Sequence, residues 1–417
     1  MQRDEADNLW HVVTPKNWPS LPTTISATLL NKLEVCPRQW ALVNAGYPEL
    51  WNREGYPPRM HIANLKGSTI HLAIEKVTRE FTKAGCSSVQ DSNAIEVMRG
   101  LGGFTQIVED SLDRVLGQYQ DNPRVAHSLS SVVISVRSQI PEMRSKLQSL
   151  LRRVRLQSGS IEERVHTNTY WAQKPRIALG IGAHPETNIC ASDLGWHGRA
   201  DLITISNLGC EITDFKTGKQ SEHHEFQMLF YSLLWYRDNE LNPTAQPATK
   251  LTISYIDRDI DVPPPSIDEL LIMEEDISMR IQNISKALST NPPQARPDVE
   301  SCTYCDVRHL CDKYWEISTQ TNLATNPSLQ KGYIDMELCL VDRHGPTSWN
   351  TTVNTCPRLQ SNRELVLRMP PGHYAFRFIE NAQRIRILNA YLIYEDHDDP
   401  EPVVATVNAV SEVFAVN

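Results

Sequence analysis

The sequence predicts a mixed α/β protein with a small all-β module at its C-terminal end. Three observations carry that prediction. Gly198–Ile205 and Glu211–Lys216 are short, β-branched and separated by Asn207-Leu208-Gly209, which reads as a β-hairpin. Segments on both sides of it place apolar residues three and four apart, the helical period. Beyond residue 332 the period falls to two, as in strands with one buried face.

Length and composition narrow the function. A chain of 417 residues with 40% hydrophobic content can bury one large domain and a smaller one. No apolar run of about 18 residues is present, and Met1-Gln2-Arg3-Asp4-Glu5 lacks the apolar region of a signal peptide. A soluble, cytoplasmic protein that does not enter membranes is expected. The net charge of −9 argues against binding nucleic acid by global charge, while leaving room for a local basic channel. Nine cysteines, an odd number, suggest thiols or metal ligands before disulfides.

Residues 1–24 are rich in Pro and Trp without a clear period and read as an irregular lead-in. Ser26 can cap a helix with apolar Leu29, Leu30 and Leu33, continuing through Cys36-Pro37-Arg38-Gln39-Trp40. His71 and Glu75 stand four apart and share a helix face; they are either a surface pair or part of a phosphate- or metal-binding site. Residues 90–158 read as helical, divided by Pro123 and Pro141. The end of that region carries Arg144, Lys146, Arg152, Arg153 and Arg155, a solvated basic face or a wall that contacts phosphates. Glu162 and Glu163 then precede a β-like segment.

The hairpin supplies the chemistry. Centred between Asn207 and Leu208, it sets residue i opposite residue 415 − i, so Asp201 faces Asp214. Opposed Cβ atoms are roughly 4.5–5.5 Å apart, close enough for two carboxylates to share a divalent cation. Lys216, two residues past Asp214, points to the same face. A metal and a phosphate between them would make a hydrolytic site; the bland alternative is a solvated hairpin with one ion pair. Downstream, the apolar helix 226–235 presents Gln227 and Tyr231 on one face, and a buried Gln needs partners. Residues 250–256 read as a strand and 267–289 as a helix.

Cys302, Cys305 and Cys311 form a C-x2-C-x5-C array. Three thiolates call for a fourth ligand around zinc or an iron–sulfur cluster, and Cys36 is the candidate. Residues 317–331 are polar and read as a linker. Within 332–417 the alternating segments are Tyr333–Val341, Glu364–Met369, Tyr374–Ile379, Arg384–Tyr394 and Val403–Phe414. The module's seven Arg against eleven Asp and Glu leave it at −4, poor for gripping nucleic acid and better suited to docking a protein.

Taken in order, Gly67-x3-His71-x3-Glu75, Gly198-Arg199-Ala200-Asp201, Asp214-x-Lys216 and Gln227-x3-Tyr231 resemble the RecB-like branch of the PD-(D/E)XK nucleases. Cys36 with Cys302, Cys305 and Cys311 is similar to the iron–sulfur staple of the AddB nuclease domain and of the CRISPR-associated RecB-like exonucleases. Ala200 stands where the superfamily name has its Pro. The resemblance spans roughly residues 25–316, with a helical insertion at about 90–158, and does not reach residues 332–417. It implies a nuclease core, a mixed sheet flanked by helices; the alternation beyond residue 332 adds a small barrel-like β module.

The resemblance further implies Mg²⁺ or Mn²⁺ held by His71, Asp201, Asp214 and the Phe215 carbonyl. Lys216 would orient the attacking water, and Gln227 and Tyr231 would position Lys216 or the substrate backbone. Glu75 would orient His71, and a structural 4Fe-4S cluster would sit on the four cysteines. The implied function is a metal-dependent DNA nuclease acting on single strands or ends. It would act beside a helicase or other protein partner, or a second copy of the chain, in repair, CRISPR adaptation or anti-phage defence. The competing readings are a non-catalytic DNA-binding or scaffold subunit and an RNA-directed nuclease.

Overall fold

The computed structural model describes residues 8–157, 176–318, 333–394 and 402–416. The β-like segment after Glu162 and Glu163, and nearly all of the 317–331 linker, lie outside the described residues.

Ser26 caps the first helix, α1 (Ala27–Val35), accepting from the Leu29 amide. That helix does not run on through Cys36 as the sequence suggests. Cys36 is extended and becomes the N-cap of α2 (Pro37–Asn44), because Pro37 is tolerated at a helix start and not within one. The long α3 (Ile62–Lys83) follows. The expected helical insertion comprises α4 (Ala94–Gly100), α5 (Gly103–Gly117), α6 (Leu129–Arg137) and α7 (Ile140–Leu151).

The first sheet runs in the order β1 (Gly182–Ala191), β2 (Trp196–Ser206), β3 (Gly209–Lys216), β4 (Ala248–Tyr255), β5 (Asp259–Val262). It is mixed: β3 and β4 are parallel and the other neighbours antiparallel. The largely buried crossover between β3 and β4 is α8 (Glu222–Arg237), and α9 (Ile267–Leu288) returns along the same side. Ile203 and Ile212 pack toward α8 and α9, while Leu202 and Phe215 pack toward α3 and the insertion. The sheet is therefore covered on both faces, the usual home of a mixed sheet with a parallel pair.

After α10 (Val299–Thr303) and α11 (Asp312–Ser318), the chain forms β6 (Tyr333–Gly345), β7 (Ser348–Thr355), β8 (Glu364–Arg368), β9 (Arg384–Tyr394), β10 (Pro402–Thr406) and β11 (Glu412–Val416). β10 pairs parallel with β8 and antiparallel with β9, and β9 pairs with β6. The ring β6-β7-β8-β10-β9 thus closes into a barrel, with β11 added beside the first half of β9. Its single parallel pair, between third and fifth strands, is that of a five-stranded Greek-key barrel. Tyr374–Ile379, expected as a strand, is instead a pair of short 3₁₀ turns between β8 and β9. A run of six alternating residues cannot separate the two, and Tyr374 is held by stacking on Trp10, ring centres 3.8 Å apart.

The N-terminal stretch is tied to the barrel as well: Val12 donates to Ala415 O at 2.8 Å, and the Ala415 amide donates to Trp10 O at 2.7 Å. Leu9 and Trp10 join the barrel core, which also takes in Tyr56, Leu310, Tyr314 and Trp315. The barrel and the cysteine-bearing end of the first domain share one hydrophobic core. Among the described residues, no helix is long and apolar enough to cross a membrane.

Candidate active site

The β2–β3 ladder pairs Ser206 with Gly209 and Leu202 with Thr213, the 415 − i register. It stops there. The next pair, Asp201 and Asp214, lies where the strands begin to part, and Asp201 Oδ2 accepts from the Phe215 amide at 2.6 Å. Asp214 is 3% exposed. Lys216 Nζ stands 2.6 Å from Asp214 Oδ2, outside hydrogen-bond direction, so that buried oxygen has no hydrogen-bond donor. Lys216 instead donates to Gln227 Oε1 at 2.8 Å, and Gln227 Nε2 donates to Tyr231 Oη at 2.6 Å. The second and third turns of α8 therefore brace the lysine from the side.

α8 can lie this close because β2 carries Gly198. A Cβ there would meet Tyr231 Cε1 at 2.7 Å and Leu234 Cδ1 at 2.9 Å. His71, from α3, brings Nδ1 to 3.9 Å from Asp201 Oδ2. Burial lowers its pKa, which favours the neutral imidazole that can act as a ligand.

Glu75 stands elsewhere than the resemblance implies. It accepts from Arg199 at 3.0 Å, pairs with Arg79 at 2.8 Å, and acts on His71 only through its charge. Arg199 also reaches Glu186 at 2.6 Å. Glu186 is the residue that sequence reasoning missed. Pro185 pairs with Leu202 and Thr187 with Ala200, so Glu186 lies across from Asp201, with a positive φ of 54°. Burial raises its pKa to about 7 despite Arg199, and burial together with Asp214 and Glu186 raises that of Asp201 well above the carboxylate range. Carboxyl groups crowded into a dry place hold protons until a cation replaces them.

Among the described residues, no three His, Cys, Asp or Glu side chains already stand at metal-coordinating spacing. The donor set nevertheless suits a hard divalent cation: facing carboxylates, one orphaned carboxylate oxygen and a neutral imidazole.

Arg153 departs from its expected place on a phosphate-binding wall. It donates to Asp259 at 2.9 Å, to Ile256 O and Ser149 O, each at 3.1 Å, and to Tyr255 O. That guanidinium fastens the insertion to the sheet edge. Arg152 stays exposed, and among the described residues Arg155 bonds to the backbone of Arg152 and Val154.

The four cysteines Cys36, Cys302, Cys305 and Cys311 are free thiols lining one cavity, together with Gln39, Arg308 and Tyr314. The amides of Gln39 and Arg296 point at Cys36 Sγ, at 3.4 and 3.5 Å. Burial raises the Cys302 thiol to about 11 and raises Cys305 and Cys311 as well. The donor chemistry of four thiols suits a thiophilic metal or cluster and no hard cation, although among the described residues they do not stand at metal-coordinating spacing.

The central hairpin of a mixed sheet thus brings two aspartates and a lysine together, with a Gln–Tyr pair bracing the lysine. The family model of the PD-(D/E)XK nuclease superfamily matches residues 24–312, and the chain belongs to that superfamily, whose members are typically metal-dependent nucleases. One solved structure, the crystal structure of SSO0001, is 23% identical over 31% of this chain and 59% of that chain, with a TM-score of 0.18. The match thus spans 59% of that chain's length, and so low a score does not bear on the fold. No curated protein matches significantly.

Proposed function

We propose that the protein is a metal-dependent deoxyribonuclease that cuts single strands or ends. The observation that carries this is the hairpin site, where Asp201 and Asp214 meet beneath Lys216 and beside His71. His71, Asp201 and Asp214, with the Phe215 carbonyl, would hold Mg²⁺ or Mn²⁺. When bound, that ion supplies a Lewis acid for the phosphate and lowers the pKa of its water.

The chain's own groups do the rest. Lys216 offers an ammonium where charge builds on the phosphate, and its link to Gln227 keeps it aimed before substrate arrives. Tyr231, in turn, holds the Gln227 amide in one orientation. The buried setting of Asp214 excludes water and strengthens each of these contacts.

For the cysteines, the proposal is a structural 4Fe-4S cluster on Cys36, Cys302, Cys305 and Cys311, supported by their convergence on one cavity. A helicase-type or other protein partner, in repair, CRISPR adaptation or anti-phage defence, completes the reading.

The test is cleavage of end-labelled single-stranded, duplex and circular DNA, and of RNA, with Mn²⁺. Cutting of linear single strands that vanishes in Asp214→Ala is expected. Degradation of RNA alone, or equal activity in the variant, refutes the assignment. Anaerobically purified protein should carry about four irons per chain, and stoichiometric zinc without iron would replace the cluster by zinc.

A further inference from the structure

We propose that the C-terminal barrel backs the four-cysteine site, and that Asp335 holds the lining of that site in place through Arg308 and Tyr314. The inference rests on reading Cys36, Cys302, Cys305 and Cys311 as ligands of one metal centre, whether cluster or zinc.

The loop that supplies three of the thiols has little regular structure of its own. It contains one five-residue helix and a three-residue 3₁₀ turn. Several of its buried contacts go to the barrel. Arg308 lies between Cys305 and Cys311, lines the cysteine cavity and is 4% exposed. Its guanidinium donates to Asp335 at 2.5 and 3.3 Å and to Asn389 at 3.2 Å, on β6 and β9. Asp335 also accepts from Tyr314 Oη at 2.7 Å and from the Asn389 amide at 2.8 Å. One buried carboxylate therefore gathers two cavity-lining side chains and two strands.

Neighbouring contacts repeat the pattern. Arg386 on β9 donates to His309 O at 2.6 Å and lies over the Trp315 ring, 5.0 Å from its centre. The His309 ring stacks on Phe414 of β11 at 3.8 Å. A module merely tethered by a linker would meet the loop through exposed polar groups; here the contacts are buried charges and stacked rings. Asp335 is a positioning residue: it touches no cysteine and acts on them through Arg308 and Tyr314.

The experiment uses the full chain, purified anaerobically, and follows transfer of its metal to a chelator by visible absorbance and by metal analysis. Asp335→Asn should release metal on the order of 10- to 100-fold faster than the natural protein, as loss of a carboxylate behind metal ligands does elsewhere. Arg308→Lys, which keeps the charge and loses the fork, should fall between them and serves if Asp335→Asn does not fold. Leu367→Ala, a cavity on β8, controls for general weakening of the barrel. It should melt earlier yet release metal at the natural rate below its transition. Equal release from Asp335→Asn and the natural protein overturns the proposal, as does equal release from Asp335→Asn and Leu367→Ala. Natural protein that holds neither iron nor zinc instead sinks the metal-site reading on which the proposal rests.

Discussion

Lys216 Nζ donates to Gln227 Oε1 at 2.8 Å while standing 2.6 Å from Asp214 Oδ2. The lysine is thus aimed from two sides, and the two supports should fail differently. Lys216→Ala or Asp214→Ala should cost on the order of 10²–10³ in cleavage rate with DNA binding retained. Gln227→Ala, which frees the ammonium without removing it, should cost about tenfold in single-turnover rate with little change in affinity. Anisotropy and single-turnover cleavage on one oligonucleotide check all three; Gln227→Ala falling as far as Lys216→Ala would mean that the amide itself touches the substrate.

Gly198 makes a separate prediction about packing. Because a Cβ there lands 2.7 Å from Tyr231, Gly198→Ala must push α8 off the sheet. Overpacking of this kind costs typically about 1–3 kcal/mol. Thermal melting should show the loss, and Tyr231→Ala in the same chain should recover part of it. A melting temperature unchanged by Gly198→Ala would show that the helix gives way freely.

These two sites mark what the sequence made legible. The turn residues Asn207-Leu208-Gly209 determined the hairpin register, and the observed ladder keeps it from Leu202 to Ser206. The i, i+4 spacing of Gln227 and Tyr231 put them on one helix face, where they hydrogen-bond. Glu186 stayed hidden because its strand neighbour is known only once β1 is registered against β2, and no periodicity marks a residue at positive φ. β7 (Ser348–Thr355) was passed over because its Asn and Thr residues lack an apolar alternation. Most of all, a polar linker in the sequence says nothing of what packs beyond it. The union of barrel and cysteine loop is a tertiary fact carried by residues such as Asp335, which look like surface charges in a list of letters.

The three arginines after α7 should now divide. Arg153 is committed to the sheet edge, so Arg153→Gln should destabilise the fold and leave the salt dependence of DNA binding alone. Arg152→Gln and Arg155→Gln remove exposed charges instead. If they face the strand, each should flatten the slope of log K against log salt by up to roughly 0.7. Titrations at several salt concentrations decide it, and a slope that changes only with Arg153→Gln would invert the assignment.

Glu412 ties the barrel to the insertion, and it makes the protein acid-sensitive. Burial alone would raise its pKa, but Arg124, at 2.9 Å, and Arg59 overcome this and hold it at about 2, below the ordinary 4.5 of a glutamate. A depressed carboxylate stabilises the fold above its unfolded pKa and loses that contribution as pH falls toward the folded one. The window is therefore pH 4.5 to 2, and the contribution is about 3 kcal/mol. Denaturant midpoints should fall across that window in the natural protein and fall less in Glu412→Gln. The variant should be weaker at pH 7, because Arg124 is then buried without a counter-charge. Parallel pH profiles for the two proteins would show that Glu412 is not the responsible group.

The most demanding prediction concerns a chain ended near residue 326. A linker followed by a separate docking module predicts that such a fragment keeps its metal and cuts single-stranded DNA unaided. The structure predicts the reverse. Removing residues 333–417 uncovers Leu310, Tyr314, Trp315, Tyr56 and Leu9, which now share the barrel's core. It also strips Arg308 of Asp335 and Arg124 of Glu412, leaving two buried guanidinium groups without their carboxylates. Breaking a buried pair from one side is strongly destabilising, about 3–5 kcal/mol each, a large fraction of the total stability of a domain. The fragment should be insoluble or metal-free, with no cleavage even though Asp201, Asp214 and Lys216 are all present. Co-expression with residues 333–417 as a separate chain should restore solubility and metal content together. A soluble, metal-loaded and active fragment would mean that the shared core contributes little, and that the barrel is an appendage after all.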